Sequence, residues 1–475
     1  MKGKMFAALV IGLALAGPSA ANAQTPAGAP TFSKDVAPIF YKNCTVCHRP
    51  GEIAPMSLLT YNDARPWTRS IATNVTKGTM PPWHADPAHG EFLNDRRLSQ
   101  ADKDTIVRWV SAGAPEGNPA DLPAQPVYPD GWAIGKPDAV FALGEDYPVA
   151  ASGTIDYKYF EVPTNFTEDQ WIQGFEVKPG EPSVVHHVIV YARPPQRPRP
   201  AAAANAAPAG AAPAGGAPAA GAPAGGAAQA NPQRRQPPFT FAPNMEEPDE
   251  VKAGAAHEGV PNDRPAPEGG TGMFVGGYTP GQAVRMFQPG SALRLPAGST
   301  LVFQMHYTAN GKPSHDRSKI GFVFAREAPK QEAIIGALVN QNFTLPAGVA
   351  NTKVDAEMTI NQDMILWSLL PHIHVRGRQW EITATYPDGR REVILSVPNY
   401  DFNWQTDYIF KQPLKLPKGT VLHSSAWFDN SAANKSNPNP KADVHWGEQT
   451  WEEMQFTAFT FTLEPQQRPA TGAQQ

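Results

Sequence analysis

The chain has 475 residues, 44 acidic and 40 basic, for a formal net charge of -4, and it holds only two cysteines. That balance, without a basic run, is not the profile of a nucleic-acid binder. No stretch downstream of the N-terminus has eighteen consecutive apolar residues, so a transmembrane helix is not expected. Two cysteines three residues apart cannot staple a secreted scaffold, so the chain is expected to be disulfide-free, and its length calls for several domains.

The chain starts Met1-Lys2-Gly3-Lys4, runs apolar from Met5 to Gly17 and reaches Ala21-Asn22-Ala23. A basic start, a short apolar core and an A-x-A site read as a secretory signal peptide over residues 1–23, which places the mature protein in the periplasm. Cys44-Thr45-Val46-Cys47-His48 follows, the C-x-x-C-H pattern of c-type haem attachment. Two thiols form thioethers to the vinyl groups, and the next residue places an imidazole under the iron. The other reading is a thioredoxin-type redox pair. His48, the leader and the lack of a βαβ pattern argue against it.

Phe32 to Phe40 reads as a helix leading into the motif, and Ser99 as the N-cap of a last helix through Ile106, Val107, Trp109 and Val110, stopped by Gly113. Met80, just before Pro81 and Pro82, is the first candidate for a sixth iron ligand, with Met56, His84 and His89 as rivals. Residues 31–116 resemble a small cytochrome c domain, which implies an all-α unit with one covalent haem c.

Residues 117–152 are rich in Pro, Gly and Ala and read as an interdomain linker. Beyond them, short alternating segments separated by turn signals such as Pro179-Gly180 and Pro387-Asp388-Gly389 predict β-sandwiches. The expected first sandwich spans 153–328 and carries an Ala/Pro/Gly-rich insertion at 195–270, too poor in apolar bulk to fold. The second spans 329–465, and 466–475 reads as a disordered tail.

The histidines of this β region are grouped. His186 and His187 open one strand segment, His306 lies in Met305-His306-Tyr307, and His372 and His374 follow an apolar run ending Leu369-Leu370-Pro371. On a strand, His372 and His374 point to the same face. Adjacent His186 and His187 point to opposite faces unless a bulge or a twisted strand end turns both rings one way. Met454 completes the set, and imidazole with thioether favours copper over zinc. His315 and His257 read as solvated loop residues, and His423 and His445 as structural. A catalytic acid or base cannot be singled out.

In order and spacing, His186-His187, Met305-His306-Tyr307, His372-Ile373-His374-Val375-Arg376-Gly377-Arg378, Asn399-Tyr400-Asp401-Phe402 and Glu452-Glu453-Met454 resemble the type II copper monooxygenases, the family of dopamine β-monooxygenase and peptidylglycine α-hydroxylating monooxygenase. The resemblance runs from about Tyr157 to Leu463. It implies two consecutive jelly-roll sandwiches and two copper ions. One, on His186, His187 and His306, would transfer electrons; the other, on His372, His374 and Met454, would bind dioxygen. The chain departs from the family at three positions. Gln455 stands where a cysteine is frequent. Leu370 and Ala458 stand where the peptide-hydroxylating branch has the arginine and tyrosine that anchor its substrate.

The sequence therefore leads us to expect a multidomain protein, a small all-α cytochrome c domain followed by two all-β jelly-roll-like sandwiches. The function to expect is a periplasmic haem c–copper monooxygenase acting on a small organic substrate with dioxygen, with periplasmic electron-transfer proteins as partners. Two alternatives stay open: a copper oxidase or dehydrogenase emptying electrons into the haem, and a non-catalytic copper-binding electron carrier.

Overall fold

The structure, a computed structural model, describes residues 28–129, 131–195, 239–241, 263–264, 267, 272–281 and 284–464. The expected leader at 1–23, most of the insertion and the tail at 466–475 lie outside the described residues.

Alternation of buried and exposed positions, as in Thr352–Ile360, sets the strands. The central element is a nine-stranded sheet ordered Ala139–Ala142, Lys319–Phe324, Gln170–Lys178, Ser291–Leu295, Gln331–Asn340, Gln455–Leu463, Met364–His372, Tyr408–Leu416, with Val284–Met286 pairing Gln170–Lys178. Its two halves join where Gln331–Ala333 runs parallel to Ser291–Leu293. A four-stranded sheet (Lys158–Pro163, Thr300–Tyr307, Val185–Arg193, Met273–Tyr278) covers the first half. A five-stranded sheet (Arg391–Val397, Gly377–Thr385, Val421–Phe428, Thr352–Ile360, Phe239–Phe241) covers the second. The β region is thus a pair of sandwiches sharing one large sheet.

The two covering sheets lie on opposite faces of the shared one. Along Gln331–Asn340, Ala333 and Ile335 join the core under the four-stranded sheet, whereas Ile334 and Leu338 join the core under the five-stranded sheet. Residues directly opposite in a ladder share a face. Val339 pairs with Phe456, Phe456 with His372, and Ala458 with Leu370. All of these therefore look toward the side that carries the four-stranded sheet, while Phe459 and Phe461 pack into the other core. His372 thereby faces the strands that carry His187 and His306.

The expectation of an all-α domain at 31–116 is overturned. Its α-helices are Ala37–Asn43, Tyr61–Ala64, Thr68–Lys77 and Gln100–Ser111, none longer than 12 residues. The stretches 44–60 and 78–99 are turns and irregular chain. The cause is local. Pro50, Gly51 and Pro55 interrupt the first stretch, and Gly78, Pro81, Pro82, Pro87 and Gly90 the second, removing amide donors or lowering helix propensity. The segment keeps a small core of its own in which Phe40 meets Trp109 edge-on at 6.2 Å. Ser99 does cap the last helix, accepting from the Asp102 N–H at 3.1 Å.

Part of this segment belongs to the second sandwich. Trp83, Ala85 and Phe92 are buried in its core, with Phe92 5.4 Å from Tyr408 and 5.3 Å from Phe410. Leu93 N–H donates to the Ile409 carbonyl and Lys411 N–H to that of Glu91, each at 2.8 Å. Residues 91–93 thus extend the outer edge of the nine-stranded sheet. The expected linker is also partly built in, since Ala139–Ala142 and Tyr147–Val149 are strands. Within the expected insertion, Phe239–Phe241 pairs with Met358–Ile360, and Asp263 holds Lys158 Nζ at 2.6 Å.

Candidate metal centre

His187 lies directly opposite His306 in the pairing of Val185–Arg193 with Thr300–Tyr307, and the register slips by one residue immediately after. His186 is the residue left over. That bulge turns its ring to the side of its neighbour, the geometry an adjacent pair needs for joint ligation. His187 Nδ1 stands 3.1 Å from His186 Nδ1 and 3.3 Å from His306 Nδ1. One ligand atom from each of the three lies within 4.8 Å of the others.

His372 ends its strand and His374 follows two residues beyond. The Nδ1 of His372 is 2.6 Å from Gln405 Oε1, and that of His374 is 3.1 Å from the Glu452 carbonyl. Both oxygens can only accept, so each Nδ1 carries the proton and each Nε2 presents its lone pair. His374 Nε2 is buried without a hydrogen-bond partner. The Nε2 atoms of His186 and His187 are buried without a hydrogen-bond partner as well. Met454 immediately precedes the strand Gln455–Leu463, whose Phe456 pairs with His372. Met454, His372 and His187 line one cavity.

The two sets, separate in sequence, form one cluster here. His186 and His187 lie 4.7 and 4.8 Å from His306, His187 lies 6.1 Å from His372, and His372 lies 5.1 Å from His374, centroid to centroid. Phe402 stacks on His186 at 4.7 Å and stands 6.0 Å from His374.

Burial disfavours the charged imidazole at every one of these positions. It holds His186 and His372 down at about 4, the Gln405 contact opposing it at His372. His187, His306 and His374 are lowered further, chiefly by burial and, for each, by neighbouring imidazoles. Imidazoles held neutral by burial are metal donors, and His186, His187 and His306 lie close enough together to hold one cation.

Several supporting residues had no individual signal in the sequence. Glu453 is fully buried. It accepts the His374 N–H at 2.9 Å and the Arg376 N–H at 2.7 Å, and lies 3.8 Å from the Arg376 guanidinium. Burial raises its pKa to about 8 against those contacts. Tyr400 donates to the Ile373 carbonyl at 3.0 Å, fixing the residue between the two ligand candidates. Thr450 Oγ1 lies 3.2 Å from His306 Nε2, and the Tyr157 ring 4.8 Å from that of His306. The short motifs around 399–402 and 452–454 contained Tyr400, Phe402 and Glu453; nothing pointed to Gln405 or Thr450. His423 instead faces Asp355 at 3.3 Å, and His445 lies 3.2 Å from Thr344 Oγ1, away from the cluster.

At the N-terminal motif both cysteines are free. Burial pushes the Cys44 thiol up to about 12 and also raises Cys47. A reactive redox pair needs a depressed thiol pKa, so this environment disfavours the thioredoxin-type reading. His48 Nδ1 is 3.3 Å from the Met56 carbonyl, which fixes the proton there and leaves Nε2 for an iron. Met80 follows the Gly78 turn closing Thr68–Lys77. His84 is shifted down by burial, with the Asp401 carboxylate opposing, which places it beside the 399–402 loop.

A cavity of about 550 Å³ connects the two regions, with Cys47, Arg49 and Arg96 at one end and His372, Met454 and Phe456 at the other. Tyr278, beside Cys47, pairs with Val188, the neighbour of His187.

No family model matches the chain, and no curated protein matches it. Among solved structures, one titled as that of the infectious bursal disease virus Gx strain aligns over 70% of this chain and 73% of its own, at 9% identity and a TM-score of 0.17. That likeness carries no argument about function.

Proposed function

We propose that this chain is a periplasmic haem c–copper monooxygenase that hydroxylates a C–H bond of a small organic molecule. The carrying observation is the triad His186, His187 and His306, one ligand atom of each within 4.8 Å of the others, with His372 and Met454 lining the same cavity as His187. His186, His187 and His306 would hold one copper, and His372, His374 and Met454 the other, as the resemblance to type II copper monooxygenases implies. Cys44 and Cys47 would bind a haem covalently, with His48 as axial ligand and Met80 as the candidate opposite it. Bound copper supplies one-electron redox chemistry and dioxygen activation. The overall reaction is R–H + O2 + 2 e⁻ + 2 H⁺ → R–OH + H2O, with a periplasmic reductant as the electron source; a haem held by Cys44, Cys47 and His48 would supply one-electron transfer.

The chain's own part is positional. The bulge at His186 brings three Nδ1 atoms together. Gln405 and the Glu452 carbonyl fix the tautomers of His372 and His374. Phe402 and Tyr157 wall the cluster against water. The docking of residues 83–94 on the second sandwich supports a fixed donor, in place of the flexible tether expected at 117–152.

The test is oxygen-18 incorporation. The haem-matured, copper-loaded protein with ascorbate and a panel of small organic molecules should give product labelled from dioxygen and not from water. Consumption of reductant with peroxide or water as the sole oxygen product across the panel would assign the chain to an oxidase or electron carrier.

A further inference from the structure

We infer that the substrate is an uncharged, largely apolar molecule whose reacting end lies on an aliphatic and aromatic floor beside His372 and Met454. This deepens the monooxygenase reading and rests on it. The floor is the outward face of the shared sheet's second half. Leu370 lies opposite Ala458, and Val339 opposite Phe456, with Ile335 and Ile409 on the flanking strands. All six line the cavity that contains His187, His372 and Met454. Ladder pairing makes this face continuous, and Ala458 is its shallowest point.

The charged groups on the wall are already engaged. Arg285 is held by Asp407 and by Ser368 Oγ at 2.9 Å. Arg49 pairs with Glu52 at 2.5 Å, Arg96 donates to the Gly281 carbonyl, and Lys178 to that of Gly131. Glu448 accepts from the Tyr159 hydroxyl, and Glu176 from the Ile134 N–H at 3.0 Å. Among the described residues, Arg96 and Lys178 donate only to backbone carbonyls, and both lie away from the floor, whose six side chains carry no polar atom; a carboxylate or ammonium seated there would be desolvated, whereas an apolar ring or chain loses nothing. The floor takes only the His372 end of the cavity of about 550 Å³, room for a small molecule such as a single ring.

Calorimetric titration of the full-length haem-matured protein with ethylbenzene, phenylacetate and 2-phenylethylamine at pH 7.5 tests this, run both copper-loaded and after copper removal by chelation. We expect ethylbenzene to bind at least tenfold more tightly than either charged analogue, in both states. Ala458→Trp, which fills the floor, should weaken ethylbenzene tenfold or more. Leu370→Arg should reverse the order in favour of phenylacetate. Tighter binding of phenylacetate or of 2-phenylethylamine by the unaltered protein overturns the inference, as does undiminished ethylbenzene binding in a folded Ala458→Trp variant. Because the chelated protein is titrated too, loss of the copper assignment alone leaves this preference standing, and labelled product with a charged-ligand preference refutes only the substrate class.

Discussion

Replacing Glu453 by alanine should uncouple the two halves of the second metal set. The side chain is fully buried and accepts two backbone amides, those of His374 and Arg376, at 2.9 and 2.7 Å. The Arg376 guanidinium, 1% exposed, would lose its only carboxylate among the described residues while keeping Asn430 Oδ1 and the Trp451 carbonyl, both at 2.9 Å. With its pKa raised to about 8, the carboxyl is largely protonated at neutral pH, and its loss is that of its hydrogen bonds rather than of an ion pair. Each of the two orphaned amides costs roughly 1–3 kcal/mol, partly relieved by entering water. We expect a loss of about 2–4 kcal/mol in urea unfolding at constant m, together with loss of the copper on His372, His374 and Met454. Glu453→Gln keeps one acceptor oxygen and should lose about 1–3 kcal/mol. An alanine variant within about 1 kcal/mol of the parent protein, with both coppers retained, would refute the role given to this carboxyl.

Three further outcomes follow from the same structure. The metal-free protein should lose stability as pH falls from about 6.5 toward 4. His372 is held down at about 4, so over that window the unfolded chain takes up a proton that the folded one refuses, costing roughly 3 kcal/mol from this group alone. Denaturation midpoints across the window should fall more steeply for the parent protein than for His372→Gln, and equal slopes would contradict this. Phe402→Ala removes the ring stacked on His186 and facing His374, so copper affinity by chelator competition should drop up to about tenfold while unfolding changes by about 1 kcal/mol. Phe92→Ala opens a hole among Trp83, Tyr408 and Phe410 and should cost about 3–5 kcal/mol, with increased proteolysis near residues 80–98; an unchanged unfolding midpoint would show that residues 83–94 are not docked.

The β architecture was legible because alternation and turn residues act locally, and the ligand candidates because imidazoles are rare and their spacing on strands is informative. Residues far apart in the chain behaved differently. The one-cluster arrangement depends on two covering sheets taking opposite faces of a shared nine-stranded sheet, a property of topology that periodicity does not encode. The bulge at His186 could be required but not located, since its register is set by His306, over a hundred residues away. The all-α expectation at 31–116 fails because prolines and glycines break the chain between its two helical ends. Trp83 and Phe92, though inside that segment, are buried in the core of the second sandwich.

The central claim is that the histidine cluster holds two coppers beside one covalent haem. Metal and haem content of the full-length protein, matured with haem attachment, tests it most directly, compared with His372→Ala and His187→Ala. We expect one haem and two coppers per chain, with one copper lost in each variant and the haem unaffected. Zinc in the cluster, no bound metal, or a histidine variant that keeps both coppers would contradict the assignment.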